Sequence, residues 1–379
     1  MAQLITADTF RGCLVGGAVG DALGYAVEFL SLDQIRAKYG YGGITEYELR
    51  DGLARISDDT QMTLFTVSGL LAWATHQAVE GVAGTVEHYV SDCYKDWLRT
   101  QDAPCCSQGG HDSSWLMRVP ELCQRRAPGT TCTKSLREGM PVMSSKGCGG
   151  VMRVAPVGLF FDGSPTRGNS EVEPRVFAAI QAASIVQITH GHELGFIPAA
   201  AFAYIISSIT YYTYTQTNWL EAIIADCIVT MDALYSGYRH ISDFCRIMTR
   251  AVELAQGTAP DTGCIQELGQ GWVGEEALAI AVFCALRHQD SFEDAIVAAV
   301  NHSGDSDSTG SIAGSILGAR CGYDALPARL TKRLELRHVI LEIAEDLWQD
   351  CRVKSQLGSL TPDETIWLSK YYRPSHADR

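Results

Sequence analysis

Apolar residues recur at spacings of three and four through most of this chain, the period of a helix that buries one face. Bounded by Gly, Pro, Asn and Ser/Thr/Asp caps, the pattern predicts helices over 86–100, 173–189, 197–212, 218–235, 241–256, 274–287, 292–300, 308–322 and 327–353. A further long helix begins at Ser57-Asp58-Asp59, a short one covers 115–126, and Thr130 or Thr131 caps one that runs into Leu136. The longest apolar run, 196–212, holds Pro198 and several hydroxyls and only reaches the lower limit for a membrane span, so it is read as a buried core helix. The Gly- and Tyr-rich segment 32–55 carries no sustained period and reads as a long loop, as does 101–114. With no alternating strand pattern and no fixed repeat, the expected fold class is all-α. The softest breaks, 101–114 and 162–169, do not look like linkers, so one domain is expected over 1–379, with the helices after 327 packed on it.

Two polar clusters interrupt the apolar rhythm. Asp305 and Asp307 lie two apart, with Ser306, Ser308 and Thr309 beside them, at the start of a small-residue helix. Ser57, Asp58, Asp59 and Thr60 open an earlier helix in the same way. Such oxygens suit the hard ions Mg2+ and Mn2+. They equally suit helix capping and the helix dipole. Upstream, Gly16, Gly20 and Gly24 form a bare stripe on the helical stretch 12–30, open to close approach by another backbone. Each glycine costs about 1 kcal/mol against alanine in a helix, so packing or ligand approach must compensate. Asp21 and Glu28 stand about two turns apart on that stretch, either as a site pair or as exposed helix ends. The stretch 144–156, with Gly147, Gly149 and Gly150 flanked by Lys146 and Arg153, offers free backbone N–H groups to an anion or is a plain turn. His190, just before Gly191, either complements a helix C-terminus or meets a ligand.

Hydrophobic residues at 46% and charged residues at 20% place the chain among globular proteins. A formal charge of −14 without a basic run argues against general nucleic-acid binding. Thirteen cysteines on irregular spacings, with no C-x-x-C pair, suggest reduced thiols rather than a disulfide framework or zinc site. The N-terminus lacks the basic start and apolar run of a signal peptide, so a cytoplasmic, membrane-free protein is expected.

Were the two clusters to converge, Asp58, Asp59, Asp305 and Asp307 with Ser57 and Ser308 would supply an oxygen cage for a pair of divalent ions. The joint occurrence of GAVGDALGYAVEF (17–29), SDDTQMT (57–63), SKGCGGVMRVAP (145–156), THG (189–191), GWVGEEALAIAVF (271–283) and GDSDSTGSIAGSILGA (304–319) resembles the ADP-ribosylglycohydrolase superfamily. The resemblance implies two Mg2+ (or Mn2+) ions held by Ser57, Asp58, Asp59, Asp305, Asp307 and Ser308. It also implies hydrolysis at the anomeric carbon of ADP-ribose on a modified protein side chain, arginine first. Asp59 or Asp307 would assist water, and Glu28 would gate the site or move a proton. Asp21, Gly147, Cys148, Gly149 and His190 would bind the substrate. A further acid, Asp102 or Asp112, is left unassigned. Three other readings accompany this one. The chain acts on a serine, O-acetyl or nucleic-acid conjugate of ADP-ribose; it docks on an ADP-ribosylating toxin or a regulated enzyme; or Asp305-Ser306-Asp307-Ser308-Thr309 is a phosphotransferase motif, for which the required α/β context is missing.

Overall fold

The computed structural model describes residues 6–81, 83–102, 112–164, 167, 171–354 and 359–372. Helices dominate. In chain order they are α1 (Ala7–Gly24), α2 (Leu32–Tyr39), α3 (Asp58–Glu80), α4 (Val86–Thr100), α5 (Thr130–Glu138), α6 (Ala155–Phe160), α7 (Pro174–Val186) and α8 (Glu193–Tyr211). There follow α9 (Trp219–Leu234), α10 (Ile241–Gln256), α11 (Asp261–Leu268), α12 (Gly274–Arg287), α13 (Phe292–Val300), α14 (Ser306–Cys321), α15 (Ala328–Thr331), α16 (Arg337–Gln349) and α17 (Pro362–Tyr371). Their apolar faces close on one contiguous core. Within it α8, the one described helix long and apolar enough to cross a membrane, has 94% of its apolar window buried by its neighbours. The all-α expectation holds.

The contact that places everything else is between α1 and α14. A β-carbon added to Gly12, Gly16 or Gly20 would stand 2.2, 2.4 or 2.0 Å from the carbonyl oxygens of Gly318, Gly314 and Gly310. Descending partners for ascending residues mean that the two helices run antiparallel. At this separation backbone touches backbone, gaining dispersion and Cα–H···O contacts that any side chain would forbid. The glycines of each stripe therefore answer those of the other, which offsets their cost to helix propensity. The same contact brings the C-terminal end of α1, with Asp21, against the N-terminal end of α14, with Asp305 and Asp307.

Several boundaries depart from the periodicity. The stretch 12–30 is helical only to Gly24, so Glu28 lies in the turns that follow rather than on the helix. The segment expected as a loop over 32–55 contains α2, closed by a Ser31–Gln34 capping box, and a hairpin of β1 (Leu49–Arg50) with β2 (Leu53–Ala54). Asp51 and Gly52, both at positive φ, form its two-residue turn. The short helix over 115–126 is two 3-10 turns, Trp115–Arg118 and Pro120–Leu122, because Pro120 carries no N–H to continue the first. The long helix over 327–353 is interrupted where Leu336 takes a left-handed conformation, φ 57°. That interruption has a use. Glu335, 1% exposed, accepts from Arg126 at 2.7 Å, from Arg55 at 2.5 Å and from the Ile56 N–H at 3.1 Å, and so fixes the chain just before Ser57. Ten described cysteines are free, but Cys123 is in a disulfide, against the fully reduced set expected.

Candidate active site

Two helix N-termini meet α1 at the centre of the molecule. Ser57 caps α3, its hydroxyl accepting from the Asp59 N–H at 3.2 Å. Asp305 caps α14, its Oδ1 accepting from the Ser308 N–H at 3.3 Å. Gly304, at φ 149°, lets the turn before Asp305 lie on residue 270, whose carbonyl an added β-carbon would meet at 1.9 Å. The Asp305 N–H donates to that same carbonyl at 2.8 Å. Capping and clustering are thus one arrangement: the positive ends of two helices draw in the carboxylates.

The sequence clusters converge. Asp58, Asp59, Asp305 and Asp307 are all buried, at 5% exposure or less. The Ser57 hydroxyl hydrogen-bonds Asp307, and carboxylate oxygens of Glu28, Asp305 and Asp307 all lie within 4.8 Å of one another. Asp58 accepts from the Gly129 N–H at 3.1 Å. Asp59 Oδ2 and Glu28 Oε2, both buried, have no hydrogen-bond partner among the described residues. So many buried acids shift one another upward. Burial first, then the Asp307 charge, lifts the Asp21 carboxyl to about 7. Burial, then Asp307, Asp305 and Asp58, lifts Glu28 to about 11. Asp58, Asp59 and Asp305 are likewise raised far above the carboxylate range, burial being the largest cause for each.

Asp21, expected at the substrate, is placed differently. It is fully buried, and its oxygens accept from the N–H groups of Ser57 (3.0 and 3.2 Å) and Thr60 (3.1 Å) and from the Thr60 hydroxyl. Fully buried among these donors, the residue pins the start of α3 to α1. The glycine-rich stretch is a short 3-10 turn, Cys148–Gly150, running into α6. It is bonded to the segment before α12: the Cys148 N–H donates to the Trp272 carbonyl at 3.2 Å and the Gly274 N–H to the Lys146 carbonyl at 2.8 Å. The Cys148 thiol donates to Asp305 Oδ2 at 2.6 Å.

His190, also expected at the substrate, is 1% exposed and lies under this turn. β-carbons on Gly147, Gly149 and Gly150 would fall 3.4–3.6 Å from its ring. Burial, then the Arg153 charge, lowers it to about 3, so it is neutral. Its Nδ1 pairs at 2.8 Å with the Thr189 hydroxyl, which accepts from Arg153 Nη2 at 2.6 Å. Arg153 is itself wholly buried, 4.4 Å over the Tyr94 ring. Thr189→Val removes both bonds at once and leaves Nη2 of a buried guanidinium without its oxygen acceptor, with Nη1 still on the Met62 and Cys132 sulfurs. Loss of about 1–3 kcal/mol of stability is expected, read as a lower denaturant midpoint at unchanged slope.

Of the two acids left unassigned, Asp112 is buried and paired with Arg99 at 2.9 Å, while Asp102 is exposed and paired with Arg137 at 2.9 Å. Residues 103–111 between them lie outside the described residues. The sequence reading passed over three neighbours of the site. Phe29 and Trp272, both solvent-exposed, stack with ring centroids 5.9 Å apart. Glu275 pairs with Lys146 through one oxygen and leaves the other buried without a partner. Lys146 and Glu275 border a cavity of about 610 Å3 that His192, His240 and Arg246 also line. The unused signal was the acidic pair in GWVGEE, which opens α12 and equally suits its helix dipole.

Fold and site together define an all-α protein that gathers a buried acidic cluster at two helix N-termini. A solved structure titled ADP-ribosylglycohydrolase-related protein complex superposes with a TM-score of 0.59 over 90% of this chain and 98% of its own, at 21% identity. The chain belongs to the ADP-ribosylglycohydrolase family, whose model matches residues 2–356. The mouse (Mus musculus) ADP-ribosylhydrolase ARH3 is 23% identical over 84% of this chain and 85% of its own. The ADP-ribosyl-dinitrogen reductase glycohydrolase of Rhodospirillum rubrum is 25% identical over 87% and 91%. Hydrolysis of an ADP-ribosyl linkage is the activity these relations support.

Proposed function

We propose that this protein removes ADP-ribose from modified arginine side chains of proteins, with divalent ions held by Ser57, Asp58, Asp59, Asp305, Asp307 and Ser308. The observation that carries the reading is the convergence of these oxygens at two helix N-termini with the buried Asp59 Oδ2 unpartnered. Buried carboxylates in such number repel unless cations or protons neutralise them, and an all-oxygen set fits Mg2+ or Mn2+. Bound ions of this kind supply Lewis acidity and orient sugar hydroxyls.

The chain's own residues do the rest. Asp59 or Asp307 accepts a proton from the attacking water. Glu28, whose carboxylate lies within 4.8 Å of the Asp305 and Asp307 oxygens, would give a proton to the departing guanidine. Arg153, Thr189 and His190 hold the Gly147–Gly150 turn in shape, and the Gly149 and Gly150 N–H groups of that turn would meet the phosphates. Asp21 keeps the α3 terminus in register with α14. A formal charge of −14 favours a cationic acceptor over a neutral one.

The test is a panel of arginine-linked, serine-linked and O-acetyl-linked ADP-ribose with Mg2+ present. Fastest release from the arginine conjugate is expected. Faster release from serine overturns the choice of acceptor, and release from none of them overturns the hydrolase reading.

A further inference from the structure

A thiol is out of place in a cage of oxygens. Cys148 sits in the glycine turn, half-buried, with its Sγ 2.6 Å from Asp305 Oδ2. Asp59 is the next charge that bears on it, and the Ser308 hydroxyl also hydrogen-bonds it. It therefore touches the α14 half of the cluster and feels the α3 half. Asp59 Oδ2 stands in that cluster at 2% residue exposure with no hydrogen-bond partner, and Glu28 Oε2 likewise at 8%. These are acceptors aimed at something other than protein. The Glu28, Asp305 and Asp307 oxygens, within 4.8 Å of one another, are close enough to share an ion.

Resting on the metal reading above, we propose that Cys148 Sγ is a ligand for a thiophilic divalent ion, Zn2+ or Co2+, bound together with Asp305. Coordination replaces the S–H bond by a metal–sulfur bond and releases the proton to water. Mg2+ is hard and strongly hydrated and does not take sulfur, so in its presence the thiol stays a hydrogen-bond donor to Asp305. A borderline ion binds N/O/S donors more tightly along the first-row series and accepts the thiolate. The bond would tie the glycine turn directly to α14. A thiophilic ion should thus compete with the hard ion and hold the turn closed.

The experiment strips the full-length protein with a chelator and titrates it with Co2+, following thiolate-to-cobalt charge transfer in the near ultraviolet. Bound Co2+ is measured in parallel by equilibrium dialysis. The band is expected in the wild type and absent from Cys148→Ser and Cys148→Ala, with Co2+ still bound to all three. Zn2+ affinity should fall at least about tenfold in both variants, the low end of effects on supporting metal-site residues, with Mg2+ affinity unchanged. Bound Co2+ without the band in the wild type overturns the proposal and leaves the metal reading standing. A band that survives in both variants assigns the sulfur elsewhere and also overturns it. Absence of any Co2+ binding overturns the ligand assignment and the metal reading together.

Discussion

Replacing Asp305 and Asp307 together by alanine is expected to lower kcat for ADP-ribose release by about 10³-fold or more, the scale seen when charge-stabilising groups leave a dry site. Both residues are 3% exposed at the start of α14, and both lie within 4.8 Å of Glu28. The variant also separates function from folding. Burial raises both carboxyls, and the Asp307 charge raises Asp305 further, so removing them relieves a cost in the cation-free protein. Its thermal midpoint should therefore hold or rise, as expected where function has been kept at the expense of stability. The stabilisation expected from Mg2+ in the wild type, about 2.7 kcal/mol at a hundredfold excess over Kd, should disappear. Turnover equal to the wild type in this variant would sink the metal assignment.

Gly20→Val tests the scaffold in the opposite sense, since it leaves every acidic residue in place. Its β-carbon would stand 2.0 Å from the Gly310 carbonyl oxygen and 2.9 Å from the Ser311 N. Both are backbone atoms of a helix and neither can rotate away, so α1 and α14 must separate. Overpacking of this kind costs about 1–3 kcal/mol and more where the backbone cannot yield; about 3 kcal/mol or more is expected here. Activity should fall further than the folded fraction does, because Asp21 lies next to Gly20 and the separation shifts it away from Ser57 and Thr60. Thermal unfolding with activity measured on the surviving folded protein distinguishes the two effects. A variant with wild-type midpoint and wild-type activity would remove the helix contact from its organising place.

Glu28 and Asp21 illustrate where a linear reading of this chain stops. Helical spacing put them on one face, two turns apart, yet α1 ends at Gly24 and the intervening turns carry Glu28 into the cluster. No local feature distinguishes a helix that stops at Gly24 from one that continues. Asp21 was recognisable as an acid on an apolar helix, but its partners, Ser57 and Thr60, are more than thirty residues away. Glu335 is a stronger case, because nothing around it forms a motif and its three partners all lie in other segments. The hairpin turn at Asp51-Gly52 was legible in principle, but strands of two residues are too short to show alternation.

The sequence by itself determined the helical class, through a period of three to four that persists along the chain, and it marked two helix starts, Ser57-Asp58-Asp59 and Asp305 to Ser308, where adjacent acids and hydroxyls gather. It also marked the stripe of Gly16, Gly20 and Gly24 and the small-residue helix that follows Asp305. The tertiary structure decided which stripe met which, and so which helix ends came together. Burial decided that Asp21 holds the scaffold, that His190 lies beneath its turn, and that Asp59 is left with an unanswered oxygen. Spacing along a helix is a local property, fixed by 3.6 residues per turn. The charge state and partners of a buried carboxylate depend on every chain segment that excludes water from it, and those segments are far apart in sequence.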